Sequence, residues 1–160
     1  MQKFASMRPL KRLCIIGIGN TLRSDDGLGI YICEELQRMN LDDVTIRTAH
    51  QLQTEWLFEF IEFKKVLIVD AAAGGNHGMQ IKPLFDNASG TSNSSHHLNP
   101  NLLSGLMAVI HGSPAQFFSL AVPAEVFDFG EALSEHGLEN AHKAVTLILE
   151  WIASIPAQDD

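Results

Sequence analysis

Leu13-Cys14-Ile15-Ile16-Gly17-Ile18-Gly19-Asn20-Thr21-Leu22-Arg23-Ser24-Asp25-Asp26-Gly27-Leu28-Gly29 opens on an unbroken apolar run, crosses small and polar residues, and leads into helical spacing at Leu28, Ile32, Leu36 and Met39. An apolar run without polar alternation is how a strand buried on both faces reads. A helix directly after such a strand is the first half of a βαβ unit. The rest of the chain repeats the alternation. Val44–Thr48 is a β-branched strand. Thr54 reads as the N-cap of a helix carrying Trp56, Leu57, Phe60 and Ile61. Val66-Leu67-Ile68-Val69 is the most hydrophobic strand and is expected to end at Asp70, with a turn over Ala71–Gly75.

Met79–Phe85 predicts a fourth strand, placed at an edge because Pro83 cannot donate to a ladder. After the polar loop Asp86–Ser95, Asn99-Pro100 predicts a helix start, with Leu102, Leu103, Leu106, Val109 and Ile110 as its buried stripe. Phe117–Val122 is a fifth strand, Pro123–Glu135 an irregular excursion, and Leu138–Ile155 a terminal helix. The sum is an α/β chain: a mostly parallel sheet covered by helices on both faces, in three layers. Residues 1–11 read as an N-terminal extension and 12–160 as a single domain.

Composition agrees with one globular domain: 46% of the 160 residues are hydrophobic and 19% charged. No apolar run is long enough to span a bilayer, and the basic N-terminus lacks the apolar centre of a secretory signal, so the expected location is cytoplasmic, without a membrane partner. A net charge of −8 argues against binding nucleic acid. Cys14 and Cys33 lie in apolar segments without C-x-x-C spacing and read as small core residues.

In a parallel sheet of this kind, sites form beyond the carboxyl ends of the strands, which singles out the loop after Ile18 and the residues after Val69. The first resembles a dinucleotide fingerprint, but Leu22 stands where its third glycine would be, and the second strand ends in Ala49-His50 without an acid for a ribose. Asp25 and Asp26 precede the first helix, where one carboxylate can serve as a cap and the other is left for function. Asp70 ends the central strand, and His96 and His97 follow the polar loop. Two carboxylates and an imidazole make an N/O ligand set suited to nickel or zinc, with His50 as a possible fourth member. There is no G-x-S-x-G elbow and no H-E-x-x-H helix. Glu135-His136-Gly137 has ligand types but reads more simply as the start of the terminal helix.

Gly17-Ile18-Gly19-Asn20, Ser24-Asp25-Asp26-Gly27-Leu28-Gly29, Val66-Leu67-Ile68-Val69-Asp70-Ala71 and Ser94-Ser95-His96-His97-Leu98 together resemble the hydrogenase maturation proteases, in order over roughly residues 12–155. Those endopeptidases trim the C-terminal tail from the large subunit of NiFe hydrogenases and are grouped as aspartic-type. The resemblance implies a twisted five-stranded sheet and a metal-binding, catalytic trio at Asp26, Asp70 and His96, the choice of His96 over His97 resting on Ser-x-His-x-Leu spacing. It implies that nickel comes with the substrate, a hydrogenase large-subunit precursor; zinc or cadmium is an alternative occupant in isolation. Gly19, Asn20, Asp25, His50, Gln51 and His97 are the accompanying candidates for substrate recognition. One departure stands out: His50-Gln51-Leu52 replaces the Asp-Gly-Gly-Thr-like turn of many members. That His-Gln-Leu turn is similar to the proteases paired with bidirectional hydrogenases. The protein is expected to be a monomer that forms a transient substrate complex. A metal-sensing chaperone that does not cleave is the alternative carried by the same ligand set.

Overall fold

The computed structural model describes residues 8–74, 78–84 and 115–157. Among them, five strands form one sheet: β1 (Lys11–Ile18), β2 (Val44–Ala49), β3 (Phe63–Ala73), β4 (Ile81–Pro83) and β5 (Gln116–Ala124), in the order β2-β1-β3-β5-β4. The first three and β5 run parallel, and β4 pairs antiparallel with β5 at the edge. The helices are α1 (Leu28–Arg38), α2 (Thr54–Phe60) and α3 (Glu135–Ser154), with a 3₁₀ turn at Ser24–Gly27.

Strand alternation sends successive side chains to opposite faces, and the core divides accordingly. Leu13, Ile15, Leu67, Val69 and Ala71 pack with α1 and α3, whereas Cys14, Ile16, Ile18, Val66 and Ile68 pack with Leu57 and Phe60 of α2. These are the three layers expected from the sequence. Helix α1 buries Leu28, Ile32, Cys33 and Leu36 on one stripe. The two cysteines are free and fully buried, as read from their apolar context. At the start of β1, Arg12 donates to the carbonyls of Ile152 and Ile155 at 3.0 and 3.1 Å, tying that strand to the C-terminal end of α3.

Several boundaries differ from the sequence reading. β3 does not stop at Asp70: Asp70–Ala73 continue the ladder opposite Ala121–Ala124, past the last β1 pair at Gly17 and Val69. A ladder partner therefore overrides the turn-like run of small residues. Likewise β5 runs through Pro123, beyond the short pairing with β4, so the irregular segment begins only after Ala124. Gln53, not Thr54, is the N-cap of α2, and it makes no side-chain cap. Helix α3 begins at Glu135, three residues earlier than expected, because Ser134 caps it by accepting from the Gly137 amide at 2.9 Å. The helix expected from Asn99 and the loop Asp86–Ser95 lie outside the described residues, and no helix among those described is long and apolar enough to cross a membrane.

At its first turn, helix α1 approaches the sheet backbone to backbone through Gly29. A Cβ on Gly17 would overlap the Gly29 carbonyl and the Cys33 sulfur, and one on Gly29 would overlap the carbonyls of Ile18 and Val69. The first turn of α1 is thereby wedged against the carboxyl ends of β1 and β3. Gly29→Ala should force that turn outward, costing about 3 kcal/mol as an overpacked contact. Chemical denaturation of the variant checks this; a wild-type midpoint would show that the turn can shift freely.

Candidate functional site

Connection β1-α1-β2 covers one face of the sheet and β2-α2-β3 the other, so the chain reverses direction between β1 and β3. That divergence opens the crevice in which α/β sheets place their ligands. The loop after β1 and the extension of β3 border it.

The loop is built by backbone hydrogen bonds and two special residues. Gly19 adopts φ +149°, and a Cβ there would overlap the Asp26 carbonyl. The Asn20 side chain accepts from the Leu22 amide at 2.9 Å, an Asx turn. The Arg23 amide donates to the Asn20 carbonyl and the Asp26 amide to that of Arg23. Across this ring, Asp26 Oδ2 accepts from the Asn20 amide at 3.2 Å. Asp26 is only partly buried, and its Oδ1 has no hydrogen-bond partner among the described residues. It thus presents a fixed carboxylate with one oxygen available to a ligand.

Asp70 lies one residue beyond the last β1–β3 pair and is also partly buried. It has the strand parity of Val66 and Ile68, toward the α2 face. The 3₁₀ turn carrying Asp26 packs against β3, so the fold brings both aspartates to the switch point. Gly19 also donates to the Ala49 carbonyl at 3.2 Å. That bond sets the exposed His50 and Gln51 beside the glycine loop, while Leu52 is buried under α2. His96 and His97 lie outside the described residues. Within the described residues, no group of three His, Cys, Asp or Glu side chains is gathered to hold a metal.

The two neighbouring aspartates have opposite fates. Neither caps α1, whose N-cap is Gly27 with no side-chain bond. Asp25, a sequence candidate for substrate recognition, is instead fully buried and internally saturated. Its Oδ1 accepts from the Ser134 amide at 2.8 Å; its Oδ2 accepts from the Ser134 hydroxyl at 2.8 Å and from the Val126 and Glu125 amides at 3.1 and 3.2 Å. Burial pushes this carboxyl up, but the Ser134, Val126 and Glu125 donors outweigh it and hold the group below its ordinary 3.8. Gly137 is required opposite it, since a Cβ there would overlap Oδ1. Ser24, at φ +50°, donates from its amide to the Gly130 carbonyl at 2.7 Å and from its hydroxyl to the Asp128 carbonyl at 3.0 Å.

Cys14 and Cys33 are each pushed up to about 12, chiefly by burial, which removes both thiols as nucleophiles at neutral pH. The sequence reading passed over one polar pair at the same sheet edge. His136, in the first turn of α3, contacts Glu125 at 2.7 Å from Nδ1 to Oε1. Local sequence holds no signal for it, because the Asp25-anchored loop brings the two together.

Comparison with known proteins agrees with this geometry. A provisionally named hydrogenase maturation protease of Methanocaldococcus jannaschii is 28% identical over 152 residues, covering 87% of this chain and 95% of that protein. Among solved structures, the NiFe hydrogenase maturation protease HycI from Thermococcus kodakarensis KOD1 matches with TM-score 0.69 at 25% identity, covering 90% of this chain and 94% of its own. The hydrogenase maturating endopeptidase HybD from E. coli shares the fold with TM-score 0.69 at 21% identity, covering 89% and 92%. No protein-family model matches the chain. The similarity to hydrogenase maturation proteases thus runs through most of the chain in both sequence and backbone.

Asp25 supplies a test of this architecture. Its folded pKa lies below the unfolded value, so its stabilisation is fully present above about pH 4 and is lost as pH falls through the folded value. Asp25→Asn should lower the unfolding free energy by about 3 kcal/mol near neutral pH. Urea titrations should show wild type and variant converging under acid; a constant gap at every pH would contradict the assignment.

Proposed function

We propose that this chain is a hydrogenase maturation protease, an endopeptidase that removes the C-terminal tail of a nickel-loaded large-subunit precursor. The observation that carries the reading is the pair of partly buried aspartates at the switch point, on a fold shared with proteins of that name. Asp26 and Asp70, with His96 as third ligand, would receive nickel already seated in the precursor. Carboxylate and imidazole donors suit a borderline divalent ion, and zinc or cadmium would take the same donors in the isolated protein. A site that recognises substrate-borne nickel couples cleavage to completed metal insertion, because an empty precursor lacks the ion that completes the contact.

The chemistry assigned to the site is attack by water. Both cysteines are buried and held protonated, so a thiolate is not the nucleophile. Water adds to the scissile carbonyl, the C–N bond breaks, and the leaving amine takes up the proton that the water gives up. Alternatively to binding the metal, the Asp26 oxygen left without a partner among the described residues is suited to hold that proton in transit. The metal's part is to polarise the carbonyl or orient the tail. In this scheme Gly19 and Asn20 shape the loop, and His50, Gln51 and His97 meet the substrate. The His50-Gln51-Leu52 turn makes a large subunit of the bidirectional type the partner to try first. A cytoplasmic monomer that engages its substrate transiently fits this role.

Intact-mass measurement of a nickel-loaded precursor incubated with the protein tests the reading. Loss of the tail is expected; an unchanged mass with a stable complex would favour a metal-sensing chaperone that does not cleave. Asp26→Asn and Asp70→Asn should each reduce cleavage at least about 100-fold, as removal of a group acting in the transition state does. Their melting temperatures should stay near wild type, in contrast to Asp25→Asn. His96→Ala should match the aspartate variants and His97→Ala should retain cleavage; the reverse would move the ligand by one residue.

A further inference from the structure

Beyond Asp70, β3 runs three more residues and ends in a second feature of the same sheet edge. A cleft of about 440 Å³ lies there, floored by Ala73, Gly74 and Ala124 and walled by Phe127, His136 and Glu125. Its volume is within the range of binding pockets. Alanines, Gly74 and Pro123 line it beside the aromatic ring of Phe127, and no lysine or arginine does so among the described residues. Among the described residues, its polar lining is the His136–Glu125 pair. Glu125 engages Nδ1, so Nε2 is the nitrogen left for a ligand.

We propose that this cleft is a subsite for an uncharged, apolar residue of the extended peptide substrate, with His136 Nε2 hydrogen-bonding the peptide backbone beside it. The proposal rests on the proteolytic reading above and extends it to a second point of contact. Three observations favour a peptide occupant. First, β3 supplies both Asp70 and the floor at Ala73, and three residues of strand span about 10 Å. Asp70 and Ala73 project to opposite faces of the sheet. A chain from the aspartates therefore reaches the cleft by crossing the edge of β3 beyond Val69, where the β1 pairing has ended, about three residues from Asp70. Second, the walls are preorganised: the Glu125 and Val126 amides are held by Asp25, and Ser134 of the same network caps the helix that carries His136. Third, the cleft is lined by Glu125, with no lysine or arginine among the described lining residues, which disfavours a free carboxylate. It is suited to an internal segment of the substrate, not to the chain's last residue.

Steady-state cleavage of the nickel-loaded precursor separates this role from catalysis. Ala73→Leu fills the floor at an exposed strand end, and Phe127→Ala removes the wall. Each should raise KM about tenfold with kcat nearly unchanged. His136→Gln, which keeps a hydrogen-bonding side chain without the imidazole, should raise KM less. Phe58→Ala, at a 71% exposed position on α2 away from the cleft, should alter neither constant. Unchanged KM in both Ala73→Leu and Phe127→Ala would overturn the subsite while leaving the protease reading intact. If the wild-type protein does not cut, the proteolytic reading falls, and fluorescence anisotropy with a labelled synthetic peptide of the precursor's C-terminal region decides the cleft separately. Binding weakened about tenfold by Ala73→Leu upholds it; equal binding, or none to wild type, overturns it.

Discussion

The Asp25 carboxylate joins the loop after β1 to the segment between β5 and α3. Four donors converge on a fully buried anion, three of them backbone amides. A charge taken from water is costly unless it is paired or fully hydrogen-bonded, so the protein cannot relax one loop without exposing an unsatisfied group in the other. The position at the N-terminus of α3 adds a favourable helix dipole. Most of what faces the sheet edge inherits its position from this one contact: the 3₁₀ turn carrying Asp26, the Glu125 and Phe127 walls, and the first turn of α3 with His136.

The same geometry separates two adjacent aspartates. A 3₁₀ turn has three residues per turn, so consecutive side chains leave it about 120° apart. With Asp25 committed inward, Asp26 is directed elsewhere and keeps one oxygen unpartnered among the described residues. One carboxylate thus builds the site and its neighbour is left for chemistry. The left-handed conformation of Ser24, held by bonds to Gly130 and Asp128, is local strain sustained by the surrounding structure.

Glycine plays the complementary part on the sheet. Gly17 and Gly29 let α1 touch β1 backbone to backbone, bringing the glycine loop down onto the ends of β1 and β3. Together the close helix and the buried carboxylate put Asp26 and Asp70 at the point where the chain diverges to opposite faces. The order β2-β1-β3-β5-β4 makes that point a crevice open at the carboxyl ends. The proposed nickel-reading protease chemistry uses this crevice, and the proposed peptide subsite lies across the edge of β3 from it.

The sequence by itself determined the layers and the strand identities, because buried parallel strands need unbroken apolar runs such as Leu13–Ile18 and Val66–Val69, and α1 needs its stripe at Leu28, Ile32 and Leu36. It also determined the edge position of the strand holding Pro83 and the candidacy of Asp26 and Asp70. Tertiary structure alone decided the rest. Whether Ala71–Ala73 form a turn or a strand depends on a ladder partner about fifty residues away in β5. Which of Asp25 and Asp26 turns inward depends on the amides of Glu125, Val126 and Ser134, about a hundred residues on. The pairing of His136 with Glu125 likewise follows from the loop that Asp25 holds. Periodicity reports what a residue does within its own element; hydrogen bonds between distant loops leave no such period, so their outcome is settled only when the chain has folded.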